Sequence, residues 1–495
     1  MRRLAWAVMA MSACATGGSG TPPPPTGGTP PPKPPAPQVR EGALVTFRAT
    51  QEIGRDTYRD DGDVLTSQLD LNGKKTTVAI SRSKNTVTCG EGAPVPLDDA
   101  TVPLENGHWS AYAFVAERFH EDRDVKLLLP CSGVRVDAHL GVTREGDATN
   151  LVLTVGKLAV HVRVDARGVV SGAQVPAQGL VVRKADEGPP PPPEARPLPA
   201  GVAEERVQIE QGGVVLKGSL WLPATSNGKL PVALLVAGSG PTDRDGNNAA
   251  GLSTDAYRMV AEALALHGVA SLRYDKRGIG ESGLNFALDK VVFQDFVDDA
   301  AAWARFLRAS GRFGPVTLVG HSEGATIVTV VAQKEHFDAL VLVAGMGRTL
   351  DVLMREQLAK GGLDDKTLAE YDRIIVALRA GTPLPTVPPE LAPLFPAAVH
   401  AFLRSELALD PAAELKKVPK GRVSILQGDT DVQVSLDDAR RLAKARPDAK
   451  LVVLPHTNHV LKEEAAATRA QASYADPKKP LAPGVVDALV AAVAR

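Results

Sequence analysis

From about residue 201 the apolar positions fall into short continuous runs that alternate with stretches of helical period. Val207 to Gln211 and Val214 to Leu222 predict a hairpin around Gly212-Gly213, and Pro231 to Ala237 is an unbroken apolar run of the kind buried on both faces of a parallel sheet. Thr254 to His267 has helical spacing and stops at Gly268, after which a strand is expected at 269–273. Helix 294–310, strand 315–319, helix 323–333 and strand 338–344 continue the alternation. After an interruption come strand 423–427, helix 435–446, strand 450–454 and a terminal helix near 484–494. This order predicts an α/β fold with a mainly parallel sheet covered on both faces. The interruption, about 347–415, holds three stretches of helical character, Leu350 to Lys360, Asp364 to Arg379 and Pro396 to Leu407, separated by proline-rich turns.

Residues 40–186 are patterned differently. Val78 to Ile80, Lys126 to Leu129, Asn150 to Val155 and Leu158 to Val164 are short and rich in Val, Leu and Thr, with turn signals at Asn72-Gly73, Glu145-Gly146-Asp147 and Arg167-Gly168. His161, Arg163 and Asp165 alternate with Val160, Val162 and Val164, the period-two pattern of a half-solvated strand. A separate antiparallel β-rich domain is expected, as a barrel or a curved sheet. His108, His120, His139 and His161 are scattered and predict neither a metal site nor a catalytic cluster.

Proline marks the joints. Of 39 prolines in 495 residues, ten lie in 22–37 and seven in 189–199, so these stretches read as a tether and a polyproline II spacer. Lys plus Arg (56) nearly balances Asp plus Glu (57), which leaves no basic surplus for nucleic acid. Arg2-Arg3 followed by apolar Leu4 to Ala13 has the form of a signal peptide and is too short to span a membrane. Its end, Met11-Ser12-Ala13-Cys14, resembles the lipobox of bacterial lipoproteins. That resemblance implies cleavage before Cys14, lipidation of its thiol, and a membrane-anchored location in the cell envelope. Cys89 and Cys131 remain as an even pair in an exported region, where a disulfide between them is expected. The expected organisation is a signal peptide 1–13, tether 14–39, β-rich domain 40–186, proline-rich linker 187–200 and α/β domain 201–495.

The chemistry concentrates in the last of these. Gly320-His321-Ser322-Glu323-Gly324 matches G-x-S-x-G between an apolar strand and an apolar helix, the setting in which a tight turn lifts a serine hydroxyl above a sheet edge. A serine needs a base, and the base needs an orienting acid. The strand ending at Gln427 is followed by Gly428-Asp429-Thr430-Asp431, and the strand ending at Leu454 by Pro455-His456-Thr457-Asn458-His459. Each candidate thus lies beyond the carboxyl end of a strand, where sites gather in open α/β sheets.

With Gly238-Ser239-Gly240-Pro241, Asp243-Arg244-Asp245-Gly246 and Tyr274 to Ser282 added to these motifs, residues 201–495 resemble the α/β-hydrolase superfamily, and within it bacterial esterases grouped with serine aminopeptidase-like hydrolases. The resemblance implies Ser322 as nucleophile, Asp431 as the acid, His459 as the base, and the backbone N–H groups of Ser239 and Glu323 as oxyanion donors, with no metal or organic cofactor. It implies that Asp275, Arg277, Gly278, Gly280 and Ser282 shape a loop, that Asp243, Arg244 and Asp245 either buttress the oxyanion loop or touch substrate, and that His321 and His456 stand outside the chemistry. It also places a helical cap at 347–415, whose apolar faces either wall an acyl site or pack on the sheet. The expected activity is hydrolysis of carboxylic (acyl) esters through an acyl-enzyme on Ser322, with a small-molecule acyl ester as substrate. A same-fold peptidase or amidase is the nearest alternative. A cell-envelope glycan- or lipid-binding lipoprotein with an inactive hydrolase fold is the alternative of another class.

Overall fold

The computed structural model describes residues 39–494 apart from 49–50, 72–73, 156–157, 177–179, 192–196, 225–228, 249–251, 284–287, 389 and 468–471. The expected signal peptide, Cys14 and nearly all of the tether lie outside the described residues, as does the centre of the proline-rich linker. The chain divides into two compact units near residue 193.

In the first unit the described strands are β1 (Arg40–Arg48), β2 (Gln51–Asp60), β3 (Val64–Leu71), β4 (Lys74–Ser81), β5 (Thr86–Cys89), β6 (Val95–Pro96), β7 (Thr101–Pro103), β8 (Arg123–Leu129), β9 (Val134–Glu145), β10 (Ala148–Val155), β11 (Leu158–Val164), β12 (Val170–Val175) and β13 (Leu180–Lys184). They form one sheet in the order β6-β5-β4-β3-β2-β1-β13-β12-β11-β10-β9-β8-β7. Among the described residues every pairing is antiparallel, as expected, except the short parallel contact of β7 with β8. Among the described residues β6 and β7 are edges, with no hydrogen-bonded pairing between them to close a barrel.

The sheet nevertheless rolls up. Ten strand spacings separate β5 from β8 in that order, roughly 48 Å if the sheet were flat. Yet Cys89 on β5 and Cys131 just after β8 are disulfide-bonded, with Cα atoms 5.1 Å apart. Alternate residues such as Leu44, Leu65, Val78, Leu140 and Val162 fill the inside together with Trp109 and Phe114. Phe114 belongs to α1 (Tyr112–Arg118), a seven-residue helix that the β-rich pattern did not predict. His108 is buried in a polar chain: Ser67 Oγ donates to Asp56 Oδ1 (2.6 Å) and accepts from His108 Nδ1 (2.6 Å), and Thr76 Oγ1 sits 3.0 Å from His108 Nε2. Burial holds the imidazole down to about 4, so the ring is neutral and ties three strands' worth of polar groups together.

The second unit begins with β14 (Val202–Gln211), β15 (Val214–Pro223), β16 (Leu230–Val236), α2 (Ala256–Leu266), β17 (Ala270–Tyr274), α3 (Phe293–Ala309), β18 (Phe313–His321), α4 (Glu323–Val331) and β19 (Ala339–Val343). The insertion supplies α5 (Leu350–Lys360), α6 (Asp365–Ala380), α7 (His400–Leu407) and α8 (Pro411–Lys416), and the chain returns through β20 (Arg422–Gly428), α9 (Leu436–Ala445), β21 (Lys450–Leu454) and α10 (Val485–Val493). The sheet order is β14-β15-β17-β16-β18-β19-β20-β21, antiparallel over the first three strands and parallel thereafter.

Period two sorts the apolar runs between the faces. Val232, Leu234 and Val236 of β16 pack with Trp303 of α3 and Ile327 of α4, whereas Ala233 and Leu235 face Leu264 of α2 and Leu489 of α10. Each fully buried Val or Leu there contributes roughly 1.5–3 kcal/mol of transfer free energy. β18 runs past both ends of the expected strand, carrying order right up to Ser322. The stretch Pro396 to Leu407 becomes helical only at His400, because Pro396 caps a single 3-10 turn at Ala397–Val399. α5, α6 and α7 share a small core of their own around Tyr371, Ile374, Leu378 and Leu407.

Candidate active site

Ser322 sits where β18 turns sharply into α4, with φ 55° and ψ −122°. This region is unfavourable for a residue with a Cβ and is held by its surroundings. Two glycines make the turn possible. A Cβ on Gly320 would lie 2.2 Å from the carbonyl oxygen of Gly324, and one on Gly324 would lie 2.3 Å from that of Val236. The amide of Ser322 donates to the carbonyl of Val343 on the neighbouring strand (2.9 Å), which anchors the turn to the sheet.

His459 follows β21 and Asp431 follows β20, both at the carboxyl edge to which Ser322 also belongs. His459 Nδ1 lies 2.8 Å from Asp431 Oδ2, with both side chains buried. Asp431 Oδ1 accepts from the amides of Gln433 (2.7 Å) and Val434 (2.9 Å), and Oδ2 accepts from Gln427 Nε2 (3.1 Å). The carboxylate is therefore fixed before it meets the imidazole, and the imidazole carries its proton on Nδ1 with Nε2 free to accept. Among the described residues no hydrogen bond joins Ser322 Oγ to His459 Nε2; such contacts often tighten only with substrate present. Ser322 and His459 line one cavity of about 360 Å³.

The loop after β16 closes one side of that cavity. An added Cβ on Gly238 would meet Ser322 Cβ at 3.0 Å, so the loop presses directly against the elbow, and Ser239 faces the cavity beside Glu323. Glu323 is the first residue of α4, where backbone N–H groups lack helical partners. The loop is braced from below. Lys276 Nζ donates to the carbonyl of Gly238 (2.6 Å), and Asp243 Oδ1 accepts from the amides of Asp245 and Asn247 (both 2.9 Å). Burial raises the Asp243 carboxyl to about 6. Asp275 accepts from the Arg244 amide (2.8 Å) and guanidinium (2.5 Å), and a Cβ on Gly280 would lie 2.3 Å from its carboxylate. Arg277 pairs with Asp299 at 2.6 Å, and Ser282 Oγ donates to the carbonyl of Asp275. Asp275, Arg277, Gly280 and Ser282 are thus scaffold. His456, in the left-handed region at φ 49°, is exposed and outside the cavity lining.

The insertion walls the cavity as well as packing on itself: Leu350, Leu353, Met354, Leu394, Phe402 and Leu403 face it. Among the described residues no group of three or more His, Cys, Asp or Glu is arranged to hold a metal ion.

A family model described as "Serine aminopeptidase, S33" matches residues 250–360. Over 253 residues the chain is 28% identical to a curated protein of Thermotoga maritima named "Esterase EstD", an alignment that covers 50% of this chain. The chain spans 58% of that relative's length. Among solved structures, Est1E from Butyrivibrio proteoclasticus with ferulic acid bound is 19% identical, covering 51% of this chain and 91% of that one at a TM-score of 0.37. The Pyrococcus furiosus esterase Pf2001 is 17% identical, covering 52% and 84%, also at 0.37. The strand order, the elbow and the order Ser322, Asp431, His459 along the chain are those of the α/β-hydrolase fold.

Three residues around the site had no signal as isolated positions. Tyr257 lies on the first turn of α2 and reaches the cavity. Lys276 is buried under the loop after β16, with its pKa lowered by that burial. Glu406 of α7 lines the same cavity as Glu323, and its Oε1 is buried without a hydrogen-bond partner. Burial, reinforced by the Glu323 charge, holds the Glu406 carboxyl well above the usual carboxylate range. One sequence feature does betray Glu406: it shares a helical face with Phe402 and Leu403, four and three residues back.

Proposed function

We propose that this protein is an exported, lipid-anchored serine hydrolase of small acyl esters. The observation that carries the reading is the strained Ser322 at a cavity whose wall also holds a buried His459, itself fixed by Asp431. Ser322 Oγ attacks the ester carbonyl while His459 Nε2 takes its proton. The tetrahedral oxyanion lies against the N–H groups of Ser239 and Glu323, the alcohol leaves with the proton from His459, and water then hydrolyses the acyl-enzyme by the same route. The similarity to an esterase supports the choice of ester, as does the apolar cap wall beside the serine.

The test is a panel of p-nitrophenyl esters from acetyl to palmitoyl alongside aminoacyl anilides, with the full mature chain. A cavity of about 360 Å³ is near the lower end of ligand sites, so acetyl to octanoyl esters should turn over at least about tenfold faster than palmitoyl. Turnover of anilides without esters would discard the esterase reading.

One observation favours a peptidase or amidase instead: two carboxyl groups, Glu323 and Glu406, face the cavity and could hold a substrate amine. Lys276 sets a cation against that pair, leaving less negative charge for an ammonium group. The anilide arm of the panel decides between them. An inactive glycan- or lipid-binding envelope protein would leave Ser322 unlabelled by a fluorophosphonate probe.

Anchoring rests on the sequence Met11-Ser12-Ala13-Cys14. Among the described residues no helix is long and apolar enough to cross a membrane. Cys14→Ser should move the protein from the membrane to the soluble fraction, and mass spectrometry of the mature native terminus should find an acylated Cys14. An unmodified terminus there would exclude lipidation.

A further inference from the structure

The histidine beside the nucleophile is joined to both halves of the site. The amide of Gly238, one residue before Ser239, donates to Tyr257 Oη (3.1 Å). Tyr257 Oη lies 2.8 Å from His321 Nδ1, and His321 Nε2 lies 2.7 Å from the backbone carbonyl oxygen of His459. The direction of each bond follows from the ends. A carbonyl oxygen only accepts, so His321 carries its proton on Nε2 and donates it to His459. A neutral imidazole protonated there has a bare Nδ1, which accepts the Tyr257 hydroxyl proton, while the phenol oxygen accepts from Gly238. Every donor in the chain then meets an acceptor, with no two donors and no two acceptors facing each other.

The surroundings keep the ring in that state. His321 is 9% exposed, and burial together with the neighbouring His459 lowers its pKa to about 3. Its ring centroid is 4.8 Å from that of His459 and 5.5 Å from that of Tyr257, so the three rings pack as one block. The other charged groups near the block, Asp431, Glu323 and Asp243, do not hydrogen-bond His321. Gly238 is held from its other side by Lys276 at its carbonyl, leaving the Tyr257 contact to set the orientation of its N–H.

We propose that Tyr257 and His321 are positioning residues, forming a hydrogen-bonded strut that sets the loop bearing the Ser239 oxyanion donor in register with the backbone of the general base His459. The strut rests on the catalytic reading of Ser322 and His459 above. It differs from a packing role in what it controls: the oxyanion donor and the base are placed relative to each other, which matters in the transition state and little for ground-state binding.

The experiment combines kinetics with NMR on the full mature protein. Tyr257→Phe keeps the ring and removes the hydroxyl. It should lower kcat about tenfold, the loss expected for one such hydrogen bond, with KM within about twofold. Affinity for an acyl trifluoromethyl ketone, whose serine adduct carries an oxyanion, should fall by a similar factor. His321→Ala should lower kcat about a hundredfold, and His321→Gln, whose amide N–H reaches toward the His459 carbonyl, should recover part of it. With ¹⁵N-labelled histidine, His321 should appear as the Nε2–H tautomer without titrating above about pH 4. Folded Tyr257→Phe and His321→Ala proteins with wild-type kcat and ketone affinity would overturn the strut, as would a His321 that titrates near pH 6.5 or carries its proton on Nδ1. If wild-type protein neither hydrolyses esters nor takes a fluorophosphonate on Ser322, the catalytic reading fails instead, and the NMR arm still decides the bond chain.

Discussion

Ser322→Ala leaves ester hydrolysis at background, about 10⁶-fold below wild type, with the fold unchanged; removal of a triad nucleophile in a serine protease sets that scale. The fold survives because nothing structural hangs on the hydroxyl. What anchors Ser322 is its amide, bonded to the Val343 carbonyl, and alanine keeps it. Alanine meets the same backbone cost as serine at φ 55°, since both carry one Cβ, and the clashes that define the turn belong to Gly320 and Gly324. Initial rates on acetyl and butyryl esters, fluorophosphonate labelling and thermal melting make the comparison. Retention of more than about one part in a hundred of the activity, in a protein that melts normally, would move the nucleophile to another residue.

The elbow was readable in the sequence because it is dictated locally. Only glycine fits at 320 and 324, and the requirement reappears as a five-residue pattern between two apolar runs. The alternation of β16 through β21 with helices was readable for a similar reason: strands buried on both faces, such as Ala339–Val343, are apolar throughout. The scaffold roles of Asp275, Arg277 and Ser282 also follow from the sequence motif, and each ends in a buried hydrogen bond. What the sequence hid depends on distant segments meeting. The period-two pattern leaves a barrel and a curved sheet equally open, and it is the strand order, which ends in two edges, that decides for the curved sheet. α1 is too short for helical period to register against β-rich neighbours. His321 adjoins the nucleophile in sequence, but its partners come from α2 and from the loop after β21, 64 and 138 residues away. Glu406 shows in the sequence only as a member of the helical face of Phe402 and Leu403, and its buried, unpartnered Oε1 depends on what α7 packs against.

Asp431→Asn is expected to cost about 10⁴ in kcat whereas Asp429→Asn is mild, although both follow β20 two residues apart; the magnitude is that of the equivalent change in a serine protease triad. The structure separates them sharply. Asp429 is exposed, and its amide donates to the Leu454 carbonyl (3.1 Å), a bond that asparagine keeps. Asp431 is buried with Oδ2 on His459 Nδ1. The orientation of an asparagine at 431 is determined in advance, because two backbone amides, those of Gln433 and Val434, require an oxygen where Oδ1 now sits. The amide nitrogen must then take the place of Oδ2 and point its hydrogens at His459 Nδ1. A donor there forces Nδ1 to accept, which puts the imidazole proton on Nε2, the atom that has to receive the serine proton. The base is thereby switched off with its position nearly unchanged, so the loss falls on kcat and leaves KM close to wild type. The substituted amide also faces Gln427 Nε2, donor against donor, and Gln427 cannot relieve this by rotating its amide without setting Oε1 against the Val434 carbonyl, to which Nε2 donates (2.9 Å). Steady-state kinetics of the two variants at matched pH, with melting curves to show that both fold, decide the assignment: a severe Asp429→Asn beside a mild Asp431→Asn would give the orienting role to the other carboxylate while leaving Ser322 and His459 in place.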